Sequence, residues 1–421
     1  MRLLELPHHP HRRLLRGHGY FKRLGPGIVT GAADDDPSGI GTYSQVGAAF
    51  GFGLLWTTLA TLPLAVAVQE ATARLGLVTG KGLAALIRER FARPVLVGAV
   101  VLVAVANTFN IGADIGSMAA AAGLLVPVPY TVATIAFALV MVVLEVVVPY
   151  HRYARVLRWL ALSLLAYVGV LVVVHVDWAD ALAHTVVPRL HADRASLAAL
   201  LAVFGTTISP YLFFWQAAEE VEEQAERHDP VDRDHVAAMR LDVAAGMGSG
   251  VGVMFAIMTT AAVTLGAHGA VRVDTAEQAA QALRPLAGNL AGLLFAAGIV
   301  GTGLLAVPVL AGSTAYAVAE MFGWREGLGR RVLQARAFYA VIAASMLVGV
   351  AMDFVGVGPI RALYLAAILN GVAAPPLLLL IVLLARSKAV LGQHRSGLLS
   401  QLLVGGAAVV MAVLSLLAVL P

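Results

Sequence analysis

Three consecutive carboxylates, Asp34, Asp35 and Asp36, stand directly before Pro37-Ser38-Gly39, and apolar residues flank the group on both sides. Carboxylates serve as hard oxygen ligands for a cation or as acid–base groups. Pro37 removes a backbone donor and disfavours the helical conformation at Asp36, while Gly39 gives the chain freedom to leave a helix. A helix crossing this point therefore unwinds and frees carbonyl oxygens, and a carboxylate beside freed carbonyls makes a hard-cation site. The alternative is an external loop with Pro37 opening the next helix, but the apolar lengths on either side are too short to cross a membrane separately. A second interruption reads Phe204-Gly205-Thr206-Thr207-Ile208-Ser209-Pro210-Tyr211. Alone, it also fits a proline kink satisfied by the Thr206 and Thr207 hydroxyls. The acidic stretch Glu219-Glu220-Val221-Glu222-Glu223 that follows reads as a solvated helix end at the cytoplasmic face, or an exit vestibule for cations.

The elements that carry these breaks follow from composition. Of 421 residues, 59% are hydrophobic and only 13% are Asp, Glu, Lys or Arg, against about 45–50% and about 25% in soluble domains. Lipid is the solvent for most of such a chain, and disorder, collagen and coiled coils are excluded with the same numbers. Cys is absent, so disulfides, thiolate metal sites and cysteine nucleophiles are excluded too. Eleven apolar stretches are long enough to cross a hydrocarbon core of ~30 Å as helices. They fall near 26–50, 53–75, 94–124, 130–149, 157–175, 196–218, 236–265, 286–321, 335–352, 359–385 and 398–420. The residues between 274 and the eighth helix read as an external segment leading into it. Central Asp residues cost ~2.5–3.5 kcal/mol each on insertion scales, so those of span one must face protein or water.

Basic residues set the direction. All Lys and Arg except Arg189, Arg194, Arg272, Arg284 and Arg361 lie in the amino-terminal tail or in alternate loops, which places the amino terminus in the cytoplasm and, after eleven spans, the carboxyl terminus outside. No cleavable signal peptide is expected in the basic, His-rich residues 1–24, whose His8, His9, His11 and His18 read as a solvated tail rather than a metal site. The breaks in spans one and six occupy matching positions if spans one to five and six to ten are repeats. Five is odd, so the second repeat is inverted, and paired breaks in inverted repeats point to the midplane site of a secondary transporter.

At this point the residues resemble the natural resistance-associated macrophage protein (NRAMP) family of divalent-metal transporters. The likeness runs through spans one to ten, from Gly25-Pro-Gly and Asp36-Pro37, through 69–82, to the Asn370-to-Pro375 spacing. It implies an all-α integral membrane protein of LeuT-like fold, with 5+5 inverted repeats in a core over 25–385, a cytoplasmic basic tail over 1–24, and a loop and eleventh helix over 386–421. The family's Asp-Pro-Gly-Asn stands here as Asp36-Pro37-Ser38-Gly39, and its Met-Pro-His as Ser209-Pro210-Tyr211. The resemblance makes Asp36 the metal carboxylate, with Gly39 where the family has a metal-binding amide and Ser209 where it has a thioether. The carbonyls of Ala33 and Thr206 become further ligands, Asn370 approaches the ion from span ten, and Asp114 resembles an acidic residue of a proton route. Tyr211 and Gln216 replace two histidines, and Asp34 and Asp35 are further candidates for the ion path.

Loss of the thioether favours hard ions, and loss of the larger side chains leaves room for an ion that keeps its waters. The pattern looks like the NRAMP-related magnesium transporter branch. It implies transport of largely hydrated Mg²⁺, with Mn²⁺ competing and without proton coupling; the alternative is proton-coupled Mn²⁺/Fe²⁺ transport of the main NRAMP type. A sodium-coupled amino-acid carrier of the same fold is disfavoured by three aspartates that repel a substrate carboxylate. A membrane enzyme built on Asp34 to Asp36 lacks the partner groups it needs at membrane depth. No cofactor beyond the transported cation is expected, and the partners are divalent metal ions and lipid, not nucleic acid; the oligomeric state stays open, a monomer being sufficient. Elsewhere, Glu70 and Arg74 read as an i,i+4 ion pair, and Glu145 and Glu320 as interfacial residues or part of an intracellular path. His175, Asp177 and Asp180 read as solvated. Gly246, Gly248, Gly250 and Gly252, like Gly298, Gly301 and Gly303, read as close helix packing.

Overall fold

The computed structural model describes residues 25–147, 162–189, 193–227, 231–268, 272–354 and 356–419, so the tail over 1–24 with its histidines lies outside the described residues. All regular structure among the described residues is helical. The first predicted span is two helices, α1 (Pro26–Asp34) and α2 (Pro37–Phe50). Then come α3 (Trp56–Thr79), the short α4 (Leu83–Arg90), α5 (Arg93–Gly123), α6 (Tyr130–Val147), α7 (Leu165–Val173) and α8 (Trp178–Val186). The sixth span is again two helices, α9 (Arg194–Thr207) and α10 (Pro210–Arg227). The chain continues through α11 (Arg233–Thr264), α12 (Ala276–Gln281), α13 (Ala291–Phe322), α14 (Arg336–Asp353), α15 (Pro359–Ala385) and α16 (Leu398–Val419).

Proline marks both breaks as expected, whereas Gly39 is helical within α2 and does not release the chain. Asp36 is extended (φ −68°, ψ 170°) and Pro37 opens α2, where a missing N–H costs nothing. Thus Pro37 does cap a helix, as the loop alternative held, but inside the protein and not in an external loop. In the sixth span Ile208 leaves helical geometry (φ −115°, ψ 64°) and Pro210 opens α10. Pro375 and Pro376, by contrast, lie inside α15 without stopping it. The carbonyl of Gly371, which Pro375 cannot serve, accepts from Ser415 Oγ of α16 at 3.3 Å.

The packing repeats with the period of the two halves. Span two (α3) packs on span seven (α11), and span three (α5) on span eight (α13). The second half of span one (α2) lies on span seven, as the second half of span six (α10) lies on span two. Close approach depends on paired glycines. A Cβ built at Gly246 would stand 2.0 Å from the Gly27 carbonyl oxygen, and Gly250 faces Gly31 one turn on, whereas Gly248 and Gly252 face open space.

By length and apolarity, six described helical segments suffice to cross a membrane: Arg93–Gly123, Arg194–Ala225, Arg233–Thr264, Arg284–Phe322, Pro359–Ala385 and Leu398–Ala418. Eleven were expected. Span one falls short because its halves are brief and polar, α3 because it carries Gln69, Glu70 and Arg74, and spans four, five and nine because their described helices are short. These polar groups are buried against other helices, and this is what makes them tolerable in a bilayer. The outer surface is apolar, with Val132, Leu139 and Val143 of α6 and Leu398, Leu402 and Val409 of α16 exposed, a surface suited to lipid.

Candidate cation site

The breaks meet. Ser38 Oγ, just after the first, lies 3.1 Å from Thr206 Oγ1, just before the second. Asp36 is fixed by four donors. Gly39 N and Ser38 Oγ donate to its Oδ1, each at 2.7 Å, and Asn110 Nδ2 (3.2 Å) and Tyr211 OH (3.4 Å) donate to its Oδ2. The first two come from the opening turn of α2, so the helix amino terminus and its cap hold the carboxylate. Tyr211 OH also donates to the Ala33 carbonyl oxygen at 2.8 Å, tying the second break to the end of α1. Ser209 Oγ turns back on its own chain and donates to the carbonyls of Gly205 (2.8 Å) and Thr206 (2.7 Å).

Of the residues named from sequence, the structure therefore brings Asp36, Ala33, Gly39, Thr206, Ser209 and Tyr211 together at the breaks. Gly39 has no side-chain oxygen, and its N–H is directed at Asp36. Nor does this glycine open free space: a Cβ there would stand 3.2 Å from the Asp34 carbonyl oxygen and 3.3 Å from Tyr43. Asn370 reaches the group indirectly, donating from Nδ2 to Asn110 Oδ1 at 3.4 Å. Asp114 is joined the same way, accepting from Asn110 Nδ2 at 3.2 Å. Asp34 and Asp35 point elsewhere, toward Gly250 of α11. Gln216 links Thr30 of α1 to Glu220, accepting from the Thr30 hydroxyl and donating to Glu220 Oε1 at 3.1 Å.

Asn110 was not singled out as a site residue, although it bridges Asp36, Asp114 and Asn370. Its spacing of four residues from Asp114 puts both on one helix face and was the available signal. Asp36, Ser38, Asn110, Asp114, Thr206, Ser209, Tyr211 and Asn370 are all at most 1% exposed, so the site is closed to both sides. Among the described residues no three His, Asp or Glu side chains converge as a metal cage. The chemistry on offer is one carboxylate surrounded by neutral oxygens and amides.

The acidic stretch departs from the expected solvated helix end. Glu219 and Glu220 are buried, and Glu222 Oε1 accepts from Tyr316 OH and, at 3.0 Å, from Leu328 N. The cause is α13 and the loop after it, which fold under α10. Glu222, Tyr316, Glu320 and Glu326 line a cavity of ≈ 350 Å³ there. Burial, together with the charge of Glu222, pushes the Glu326 carboxyl up to about 7. Glu320 is buried and also serves α4, its Oε2 accepting from Ala85 N at 2.8 Å.

Comparison with known proteins now decides the family: the profile described as Natural resistance-associated macrophage protein-like matches residues 27–421. The chain belongs to this family. Its members are membrane transporters, not enzymes. A protein named divalent metal cation transporter MntH, from Burkholderia ambifaria, is 28% identical over 399 residues, which are 92% of this chain and 86% of that one. A protein of the same name from Acidiphilium cryptum is 27% identical over 403 residues, covering 92% of this chain and 88% of its own length. Among solved structures, a mutant of the manganese transporter of Eremococcus coleocola superposes with a TM-score of 0.77 at 18% identity, covering 99% of this chain and 89% of that one. The inward-facing structure of Mhp1 gives a TM-score of 0.53 at 14% identity, covering 94% and 90%. These likenesses establish the LeuT-like, inverted-repeat fold of this NRAMP-family chain.

Proposed function

We propose that this protein is a secondary transporter that moves divalent cations across the membrane by alternating access, with Asp36 as the charge that receives the ion. The observation that carries this reading is the meeting of two helix breaks around one fully buried carboxylate. The relatives' name as divalent metal cation transporters supports the class of cargo. In the closed arrangement Tyr211 occupies the Ala33 carbonyl and Ser209 the Thr206 carbonyl, so an arriving cation displaces both hydrogen bonds and gains those two carbonyls and two hydroxyl oxygens. All of these are hard ligands. That set favours Mg²⁺, retaining part of its hydration shell, with Mn²⁺ as a competitor. The basic loops support a cytoplasmic amino terminus and an extracytoplasmic carboxyl terminus.

The test is uptake of Mg²⁺ and Mn²⁺ into liposomes holding the purified protein. Both ions should enter with less than roughly tenfold discrimination, a difference of ~1.4 kcal/mol. Asp36→Ala should reduce uptake to that of protein-free liposomes while the protein still folds. Normal uptake by a folded Asp36→Ala protein would remove the site from the breaks. Proton-coupled transport of Mn²⁺ or Fe²⁺ is the second reading, and the Asn110 bridge from Asp36 to Asp114 is the observation in its favour.

A further inference from the structure

Away from the breaks, at the end of the bundle that carries the basic loops, three guanidinium groups share one pocket. Arg74 of α3, with Arg233 and Arg240 of α11, lines a cavity of ≈ 250 Å³ whose rim is completed by Gln393 and His394. Among the described residues the one carboxylate bonded to these guanidiniums is that of Glu70, and it is already committed: its Oε1 accepts from Arg74 Nη2 and, at 2.8 Å, from Arg240 Nε. Arg74 Nη1 donates to the His394 carbonyl oxygen at 2.8 Å, which fixes the chain segment after α15 against α3. Arg74 has a side chain only 4% exposed, yet its Nε finds no hydrogen-bond partner among the described residues. A buried guanidinium N–H without an acceptor is costly. Arg233 is exposed and has no ion-pair partner among the described residues. The i,i+4 ion pair of Glu70 with Arg74 thus borders a pocket that, among the described residues, carries two positive charges in excess.

We infer that this pocket binds a phosphate group, as a monoester or diester. Guanidinium forks match phosphate oxygens in shape and charge, and a cavity walled by three of them, with Val236 and Ala237 beneath, suits a phosphate joined to a small organic part. Two sources carry that chemistry: an anionic lipid headgroup at the membrane surface and a soluble phosphate.

The experiment measures the thermal unfolding midpoint of the full chain in uncharged detergent. Phosphatidylglycerol, phosphatidylcholine, and inorganic phosphate against sodium chloride of equal ionic strength are titrated separately. The wild-type midpoint should rise with phosphatidylglycerol or with inorganic phosphate, and not with phosphatidylcholine or chloride. A rise with the lipid alone assigns the site to a headgroup; a rise with inorganic phosphate assigns it to a soluble anion. Arg233→Gln/Arg240→Gln should weaken the response by roughly tenfold or more, as the loss of charge-assisted hydrogen bonds predicts, while Mg²⁺ uptake persists. Should the double variant fold poorly, Arg233→Gln alone serves, since that side chain is exposed and has no ion-pair partner among the described residues. No rise with either phosphate source, or an equal rise in the folded variant, overturns the inference.

Discussion

Asn110 holds two carboxylates through one amide, donating from Nδ2 to Asp36 and to Asp114 at 3.2 Å each. Replacing it with Leu keeps the branching and the number of heavy atoms and removes the donor. Asp36 Oδ2 then retains only the long bond from Tyr211, and the amide linking Asp36 to Asp114 is gone. A hydrogen bond to a charged group contributes ~1.5–3 kcal/mol, so Asn110→Leu should slow Mg²⁺ uptake by roughly tenfold or more. Initial rates, normalised to folded protein in the liposomes, check this; a wild-type rate would reduce Asn110 to helix packing. The carboxylate and its flanking proline were legible in the sequence because Pro37 acts on its immediate neighbour. The role of Asn110 was not, because its bond to Asp36 spans 74 residues and only the packing of α5 against the break creates it. Pro37 and the family motif singled out Asp36, but the sequence did not show that Asp34 and Asp35 point away toward α11. The end of α1 at Asp34 separates them, leaving Asp36 to cap α2.

At the scale of elements, α1 lies on α11 through small residues, and here too the sequence was half informative. Four alternating glycines marked close packing, but a helix advances about 100° per residue, so Gly246 and Gly250 share one face while Gly248 and Gly252 turn away. Gly246→Ala would set a Cβ 2.0 Å from a backbone oxygen of Gly27, with no flexible side chain to yield. The helices must then part, and the first break, which rides on α1, moves with them. Gly248→Ala meets nothing within 4 Å and gains helix propensity, up to ~1 kcal/mol. Thermal unfolding should therefore show Gly246→Ala strongly destabilised and Gly248→Ala equal to or above wild type. Equal midpoints for the two would mean that α1 does not seat on α11 in this way. The acidic end of α10 shows the opposite limit of sequence reading. Its composition suggested solvent, and α13 together with the loop after it buries it.

For the whole molecule, direction and coupling follow from where charges sit. A reporter active only in the cytoplasm, fused after Pro421, should stay silent; activity would invert the assigned orientation. Coupling is the sharper question. The donors around Asp36 are a backbone amide, a serine, an asparagine and a tyrosine, with no imidazole of the kind that exchanges protons near neutral pH. Asp114 is a candidate carrier, and the side-chain hydrogen bonds that join it to Asp36 run through the Asn110 amide, which does not itself titrate. A cation entering the break is therefore expected to displace hydrogen bonds, not protons. Mg²⁺ uptake into liposomes loaded with a pH dye should leave the lumen without stoichiometric acidification, and Asp114→Asn should keep the wild-type dependence of uptake on external pH. Acidification in fixed ratio to metal, lost in Asp114→Asn while metal still enters, would instead make the Asp36–Asn110–Asp114 chain a proton route and establish the second reading.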